Sequence, residues 1–207
     1  MKTVLAFGDS NTYGLNPRDG SRFDAQTRWT GILQKQLAPF GVQIAEEGLC
    51  GRTTVFPDPL RPDRRGIDAL PHALAQHRPD LVILMLGTND CKTVFHASPD
   101  DIADGIRRMI GVIRAQSQAE VLLLSPIRLE KGVYEAGYDP DFNADSVQCS
   151  VGLKESYAAL AKTLHCRFLA ASDYAAPSKE DCEHMDETGH RALADALGSL
   201  FLSGSLL

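Results

Sequence analysis

A serine near the start of this sequence and an aspartate and a histidine near its end are residue types that together catalyse acyl transfer. Ser10 follows an apolar run at residues 4–7, and Asp181 and His184 are three residues apart. A serine hydroxyl is a weak nucleophile that needs a base within hydrogen-bond reach. A histidine base needs a carboxylate that holds it in one tautomer. The spacing Asp181-x-x-His184 predicts that the carboxylate folds back onto Nδ1, which leaves Nε2 free to face Ser10.

Three hydrogen-bond donors in the sequence could complete such a site. They are the backbone N–H groups of Ser10 and Gly51 and the side-chain amide of Asn89. The tetrahedral intermediate of acyl transfer carries a negatively charged oxygen that needs preorganised donors, and one donor is commonly worth about 3 kcal/mol. Glycine at position 51 allows a close approach because it has no Cβ. We therefore predict that these three groups form an oxyanion hole.

Apolar segments with the character of strands alternate with helical segments along the chain. Nearly continuous apolar runs followed by Gly, Ser or Asp are typical of strands that are covered on both faces. Strands are predicted at residues 3–7, 42–45, 81–86, 121–124 and 167–170. Apolar residues at three- and four-residue spacing predict helices at 29–37, 102–113, 153–164 and 192–200, the second of them with Ser98 as its cap and Pro99 as its first helical residue. The alternation predicts a parallel sheet with helices on both sides.

The candidate site residues follow the predicted strands. Ser10, Gly51 and Asn89 come after the first, second and third strands, and Asp181 and His184 come after the fifth. Ligands bind at the carboxyl ends of the strands in open parallel sheets, and parallel topology points all these ends the same way. We therefore expect the five residues to converge on one cleft.

Length and composition exclude several classes of protein. The chain has 207 residues, 43% of them apolar and 23% charged, which is typical of a globular protein and predicts one domain over residues 1–207. The net charge of -6 and the absence of a long basic stretch argue against a nucleic-acid partner. The densest basic cluster, Arg61, Arg64 and Arg65, is interpreted as a solvated loop. Long connections at 49–70 and 125–148 are interpreted as binding loops or disordered segments.

Cysteine usage and hydropathy bear on the location of the protein. The five cysteines are odd in number and have no CxxC spacing, which argues against a disulfide framework or a zinc ribbon. The N-terminal apolar run is too short for a signal-peptide core, and no segment has the length to span a bilayer. We expect a cytoplasmic protein without a membrane partner.

The remaining polar residues receive structural interpretations. Asp9 is expected to fix the turn before Ser10, and Trp29 to lie in the core or an interface. His190 is expected to be a half-exposed residue of the last helix, and the segment around Cys182 and Asp186 matches no zinc pattern. No convergent partner is expected for His72, His77, His96 and His165.

Four ordered blocks of the sequence resemble the GDSL/SGNH hydrolases. The blocks are Gly8-Asp9-Ser10, Gly51, Gly87-Thr88-Asn89-Asp90 and Asp181-x-x-His184. The stretches at 46–54 and 85–90, together with Arg28-Trp29-Thr30-Gly31, look most like the bacterial arylesterase/acyltransferase branch. The resemblance covers essentially the whole chain. Asn11 stands where the family name has leucine, and Glu47-Gly48 stands where the second block often has an asparagine.

The resemblance implies a flavodoxin-like fold, a three-layer α/β/α sandwich with a five-stranded parallel sheet. It implies that Ser10 is the nucleophile, His184 the general base and Asp181 the residue that orients it, with Ser10, Gly51 and Asn89 as the oxyanion hole. It also implies that neither a metal nor an organic cofactor is used. The expected activity is hydrolysis of short-chain aryl or alkyl carboxylic esters through an acyl-serine intermediate, with acyl transfer as a side activity. A homo-oligomer acting on small-molecule esters is expected.

Other activities remain open from the sequence. A carbohydrate acetyl esterase or deacetylase, a thioesterase and a lysophospholipase share all the blocks and differ in their loops. A non-catalytic binding protein can use the same fold, but it need not keep Ser10, Asp181 and His184 together. A histidine base predicts activity that rises with pH around the ordinary histidine pKa of about 6.5.

Overall fold

The computed structural model describes residues 2–204 and contains a parallel five-stranded sheet in the order β2-β1-β3-β4-β5. All five predicted strands are confirmed, and the second one extends further than predicted. The strands are β1 (Lys2–Gly8), β2 (Val42–Gly48), β3 (Leu81–Met85), β4 (Glu120–Ser125) and β5 (Arg167–Ala170).

The described residues contain seven α-helices, five of which cover the two faces of the sheet. Helices α2 and α7 pack on one face, and α3, α4 and α6 pack on the other. The helices are α1 (Ser10–Tyr13), α2 (Trp29–Leu37), α3 (Gly66–His77), α4 (Pro99–Gln116), α5 (Gly132–Glu135), α6 (Ala144–Leu164) and α7 (Glu187–Leu202).

Alternation of side chains along each strand creates two hydrophobic cores. In β1, Val4 and Ala6 belong to the core under α2 and α7, whereas Leu5 and Phe7 belong to the core under α3, α4 and α6. All four side chains are fully buried. A strand covered on both faces is apolar at nearly every position, which is why the strands read as continuous apolar runs. The predicted three-layer α/β/α sandwich is confirmed.

Helix α4 begins where the sequence predicts. The Ser98 hydroxyl accepts the N–H of Asp101 at 3.2 Å, and the Asp101 carboxylate accepts the N–H of Ser98 at 2.9 Å. Pro99 is the first helical residue. This capping box satisfies two backbone donors that would otherwise lack partners at the helix start.

Helix α3 is missing from the sequence prediction, which assigns its first part to the connection at 49–70. The helix starts with Gly66 and contains Pro71, and both residue types are unfavourable in an isolated helix. Leu70 and Leu74 are buried against the adjacent core. Burial of a leucine side chain contributes about 2 kcal/mol, so packing offsets the weak helical propensity.

Helix α6 begins at Ala144, well before the predicted start at residue 153. Asn143 caps it, and its side-chain oxygen accepts the N–H of Ser146 at 2.9 Å. The first turns alternate polar residues with small apolar ones, so hydrophobic periodicity does not detect them. The connection predicted at 125–148 is therefore shorter and contains α5.

The strand order creates a crevice between β1 and β3. Helix α2 follows β1 on one face of the sheet, and α4 follows β3 on the other face. The segments that follow β1 and β3 therefore diverge, and this reversal point is where flavodoxin-like sheets bind ligands. Among residues 2–204, no helix combines the length and hydropathy needed to cross a bilayer.

Candidate active site

Ser10 lies at the carboxyl end of β1 as the first residue of the short helix α1. Asp9 caps this helix, and its carboxylate accepts the N–H of Asn11 at 3.0 Å. A Cβ on Gly8 would lie 2.0 Å from the Thr12 hydroxyl oxygen, so only glycine lets the chain turn this sharply out of the strand. The turn leaves Ser10 4% exposed, in the lining of a cavity.

Asp181 and His184 occupy one tight turn before α7. The Asp181 carboxylate accepts the backbone N–H of His184 at 2.9 Å and that of Glu183 at 3.0 Å. Its other oxygen lies 2.6 Å from His184 Nδ1. The backbone bonds fix the carboxylate, and the carboxylate in turn fixes the imidazole ring and its tautomer.

The structure brings Ser10, His184 and Asp181 into one hydrogen-bonded row. His184 Nε2 lies 2.8 Å from Ser10 Oγ, across 174 residues of sequence. A histidine with Nδ1 protonated towards Asp181 presents the Nε2 lone pair to the Ser10 hydroxyl. The row can therefore take a proton from Ser10 and hold it on the imidazole.

Gly51 and Asn89 line the same cavity as Ser10 and His184, which has a volume of about 300 Å³. Gly51 has a φ of +80°, a left-handed conformation that favours glycine. Asn89 follows β3 and starts a short 3₁₀ helix, and its side-chain amide donates to the Arg52 carbonyl at 3.3 Å. All five predicted site residues thus lie together at the crevice between β1 and β3.

Arg52 and Asp90 fasten the segments that carry Gly51 and Asn89. The buried Arg52 guanidinium donates to the carbonyl oxygens of Gly8 and Glu47 and lies 4.1 Å above the Phe7 ring. Arg52 therefore connects the ends of β1 and β2 through hydrogen bonds to carbonyl oxygens. Burial lowers the pKa of Arg52 to about 10.

Asp90 ties the third block to the second. Its carboxylate accepts the N–H of Thr54 at 2.9 Å and the Thr54 hydroxyl at 2.5 Å. Burial raises the pKa of Asp90 to about 7, against the hydrogen bonds from Thr54. Sequence reasoning left Asp90 without a role of its own, although its place beside Asn89 was a signal.

Asn11 links the nucleophile turn to the histidine turn, which sequence reasoning missed. Its side-chain oxygen accepts the N–H of Met185 at 2.9 Å, and its amide donates to the Glu183 carbonyl at 3.4 Å. Its own carbonyl accepts the indole N–H of Trp29 at 3.1 Å. Asn11 thus forms hydrogen bonds to the residues on both sides of His184, which a leucine side chain cannot do.

Glu183 places a second carboxylate beside the histidine. Its Oε1 lies 3.7 Å from His184 Nε2, and the side chain is 9% exposed. Burial raises the pKa of Glu183 to about 7. Burial lowers the pKa of His184, but the charge of Glu183 and then the hydrogen bond and charge of Asp181 raise it more, so the net pKa lies above its usual value. The activity midpoint expected from an ordinary histidine therefore moves upward.

Two histidine interpretations are wrong. His190, expected to be half-exposed, is fully buried, and its Nδ1 accepts the backbone N–H of Trp29 at 3.3 Å. His77, expected to have no partner, lies with its Nε2 2.9 Å from a carboxylate oxygen of Glu47. Tertiary contacts between distant segments create both environments. Trp29 is buried in the core as expected.

The basic cluster is not simply a solvated loop. Arg61 and Arg64 line the cavity that contains Ser10, whereas Arg65 pairs with Asp68 at 3.4 Å. Throughout residues 2–204, no three histidine, cysteine, aspartate or glutamate side chains are grouped so that they could hold a metal ion.

Comparison with known sequences gives a family match over most of the chain. The model of the GDSL-like lipase/acylhydrolase family matches residues 6–192. Esterase TesA of Pseudomonas aeruginosa is 30% identical over 125 residues, which cover 59% of this chain and 53% of that protein. The chain spans about half the length of the curated relatives it matches.

Two solved structures resemble the chain over nearly its whole length. The native M. smegmatis aryl esterase superimposes with a TM-score of 0.91 at 35% identity, covering 98% of this chain and 99% of that one. A carbohydrate acetylesterase family member from Sinorhizobium meliloti gives a TM-score of 0.91 at 32% identity, covering 99% of both chains.

Proposed function

This chain belongs to the GDSL-like lipase/acylhydrolase family, and from that premise we propose that it is a serine esterase for short-chain aryl or alkyl esters. The proposal rests chiefly on one observation, the hydrogen-bonded row from Ser10 Oγ to His184 Nε2 at 2.8 Å and from His184 Nδ1 to Asp181 at 2.6 Å. Nucleophilic attack on an ester requires a serine hydroxyl that is hydrogen-bonded to a histidine base in this way.

Acylation begins when Ser10 Oγ attacks the ester carbonyl carbon and its proton passes to His184 Nε2. The carbonyl oxygen becomes negatively charged and is stabilised by the N–H groups of Ser10 and Gly51 and the Asn89 amide. The carbon–oxygen bond to the alcohol then breaks as His184 returns the proton to the leaving oxygen. Asp181 stabilises the imidazolium throughout.

Deacylation repeats these steps with water as the nucleophile. His184 takes a proton from water as the oxygen attacks the acyl-Ser10 carbonyl, and the same donors stabilise the second intermediate. The proton then returns to Ser10 Oγ as the free acid leaves. An alcohol that replaces water at this stage gives acyl transfer, which we propose as a side activity.

Trapping with a fluorophosphonate tests the nucleophile without knowledge of the natural substrate. The reagent phosphonylates an activated serine, so peptide mapping is expected to find the modification on Ser10 and turnover of an aryl acetate to stop. A Ser10→Ala variant is expected to resist labelling and to lose nearly all activity while it remains folded. Labelling elsewhere, or an active Ser10→Ala variant, would refute the assignment.

A second candidate activity is deacetylation of carbohydrates. The likeness to the Sinorhizobium meliloti carbohydrate acetylesterase family member favours it, and the cavity lining includes polar and charged side chains that can bind hydroxyl groups. Comparing turnover of an aryl acetate, an acetylated xyloside and an acyl-thioester separates these classes. A higher kcat/KM for the xyloside than for the aryl acetate would make the carbohydrate activity the principal one.

The assembly and location of the protein are also part of the proposal. We infer one hydrolase domain over the chain that works in the cytoplasm, which the five free cysteines favour. We also infer a homo-oligomer, as the family resemblance implies, with contacts from the two long connections, on which Leu60 and Tyr138 are exposed. A monomeric mass by light scattering would refute the oligomer.

A further inference from the structure

Arg61 and Arg64 lie directly beside Gly51 in the cavity that contains Ser10. A Cβ on Gly51 would come 3.2 Å from Arg61 Cδ and 3.8 Å from Arg64 Cδ, and 3.8 Å from Arg61 Nη1. The two side chains therefore pack against the glycine that we propose as an oxyanion donor. A group bound by them would lie within a few bonds of an ester carbonyl at Ser10.

Arg64 is held in place but its charge is not paired. Its Nε donates to the Cys50 carbonyl at 3.0 Å, which fixes the half-buried side chain. Among the ion pairs within residues 2–204, Arg65 pairs with Asp68, whereas Arg64 pairs with no carboxylate. A fixed, unpaired guanidinium in a cavity is suited to a planar anion, because its donors match a carboxylate in pairs.

The charge of Arg61 is only weakly paired with a carboxylate. Its Nη2 lies 3.8 Å from an Asp141 oxygen, and the Arg61 side chain is 43% exposed. Asp141 is shared with the buried Lys92, whose ammonium lies 3.1 Å from the same oxygen. A long, exposed ion pair contributes little to binding its partner, so Arg61 can turn to a ligand at low cost.

Two acidic residues share the cavity with the two arginines. Glu183 lies beside His184, with its Oε1 3.7 Å from His184 Nε2, and burial raises its pKa to about 7. Asp139 also lines the cavity, and one of its oxygens accepts the N–H of Asp141 at 2.8 Å. The side chains that pack against Gly51 are those of the two arginines, so they are the groups that an anion next to Gly51 would meet, although the whole chain carries a net charge of -6.

We propose that Arg61 and Arg64 bind a carboxylate that the substrate carries close to its ester group. The preferred substrates are then anionic esters, either half-esters of short dicarboxylic acids or esters whose alcohol part bears a carboxylate. This inference rests on the proposed esterase function, and it adds the charge of the substrate.

Two matched substrate pairs test the inference on the wild-type protein. Monoethyl succinate is compared with ethyl butyrate for the acyl side, and 4-acetoxybenzoate with 4-acetoxybenzamide for the alcohol side. For each pair, the anionic-to-neutral ratio of kcat/KM is divided by the ratio of the rate constants for hydrolysis of the same two esters by hydroxide. This normalisation corrects for differences in the intrinsic reactivity of the esters. The normalised ratio is expected to exceed one for at least one pair and to fall at high salt. The pair that responds identifies the side that carries the carboxylate.

Arg64→Gln is expected to lower the normalised anionic-to-neutral ratio of the responding pair about tenfold. This loss corresponds to one charge-assisted hydrogen-bonding group. Arg65→Gln is the matched control, since Arg65 is the adjacent arginine and pairs with Asp68. Normalised wild-type ratios of one or less for both pairs would overturn the inference, and so would an Arg65→Gln effect as large as that of Arg64→Gln. If the wild type hydrolyses none of the four esters, the proposed function itself fails.

Discussion

The turn around His184 and the first turn of α7 around His190 differ in what surrounds a buried histidine. Burial alone lowers the pKa of a histidine, and it lowers that of His190 to about 4. His184 is also buried, but Glu183 and Asp181 outweigh burial and raise its pKa. His190 instead accepts the N–H of Trp29 and stacks edge-on against Phe23, with ring centroids 5.4 Å apart.

The difference teaches that carboxylate neighbours, rather than burial, make a histidine available for proton transfer. A neutral His190 can accept one hydrogen bond permanently, which suits a structural role. A histidine with a raised pKa and a hydroxyl 2.8 Å away can exchange a proton near neutral pH. Six residues of sequence separate the two roles.

The largest expected effect comes from replacing His184, and a replacement of His190 serves as the comparison. His184→Ala is expected to lower kcat on the order of 10⁵-fold, because the serine loses its base. His190→Gln is expected to lower kcat less than about tenfold, since glutamine can still accept from Trp29. Both are measured as kcat on an aryl acetate. Similar losses in the two variants would remove the distinction.

A variant of Asn89 tests the proposed oxyanion donors, in the same way as the two histidine variants test the base. Asn89→Ala removes one proposed oxyanion donor and is expected to lower kcat roughly a hundredfold. The Asn89 amide also donates to Arg52, so a thermal melt must accompany the kinetics. A loss of tenfold or less in a folded variant would mean that the backbone donors of Ser10 and Gly51 suffice.

The free energy of unfolding is expected to depend on pH because the pKa of His190 is lowered in the folded protein. The unfolded chain takes up a proton on this residue near pH 6.5 and the folded chain only near pH 4. The folded state binds fewer protons in that window, so the stabilising contribution is present above pH 6.5 and is lost as pH falls towards 4. The difference amounts to about 3 kcal/mol in the free energy of unfolding.

Urea unfolding of wild type and His190→Gln between pH 4 and 7 measures this contribution. The difference between the two proteins is expected to shrink towards acid pH, while contributions common to both cancel. Asp9, Asp90 and Glu183, whose pKa values burial raises, act in the opposite direction in each protein. A difference independent of pH would contradict the buried neutral histidine.

The smallest expected effect concerns the carboxylate beside His184. Glu183→Gln removes a charge that raises the pKa of His184, so the acid limb of the kcat/KM profile is expected to move to lower pH. Glu180→Gln, which removes an exposed carboxylate nearby, is the matched control and should leave the limb in place. A Glu183→Gln profile that stays or moves to higher pH would show that Glu183 does not influence the base.

Much of the fold could be predicted from the sequence, because buried parallel strands are apolar at nearly every position. The periodicity of residues 102–113 and the Ser98 cap likewise describe α4. Helix α3 could not be predicted in this way, since Gly66 and Pro71 weaken its local signal and only packing stabilises it. The resemblance to the GDSL/SGNH family is confirmed.

The sequence by itself determined the strand succession and the five residues expected at one sheet edge, because local hydrophobicity and parallel topology suffice for both. Only the tertiary structure decided that Asn11 is hydrogen-bonded to the histidine turn and that Arg61 and Arg64 line the cavity. It also decided the opposite environments of His184 and His190. Hydrogen bonds and desolvation depend on groups far apart in the chain, and no local pattern encodes those distances.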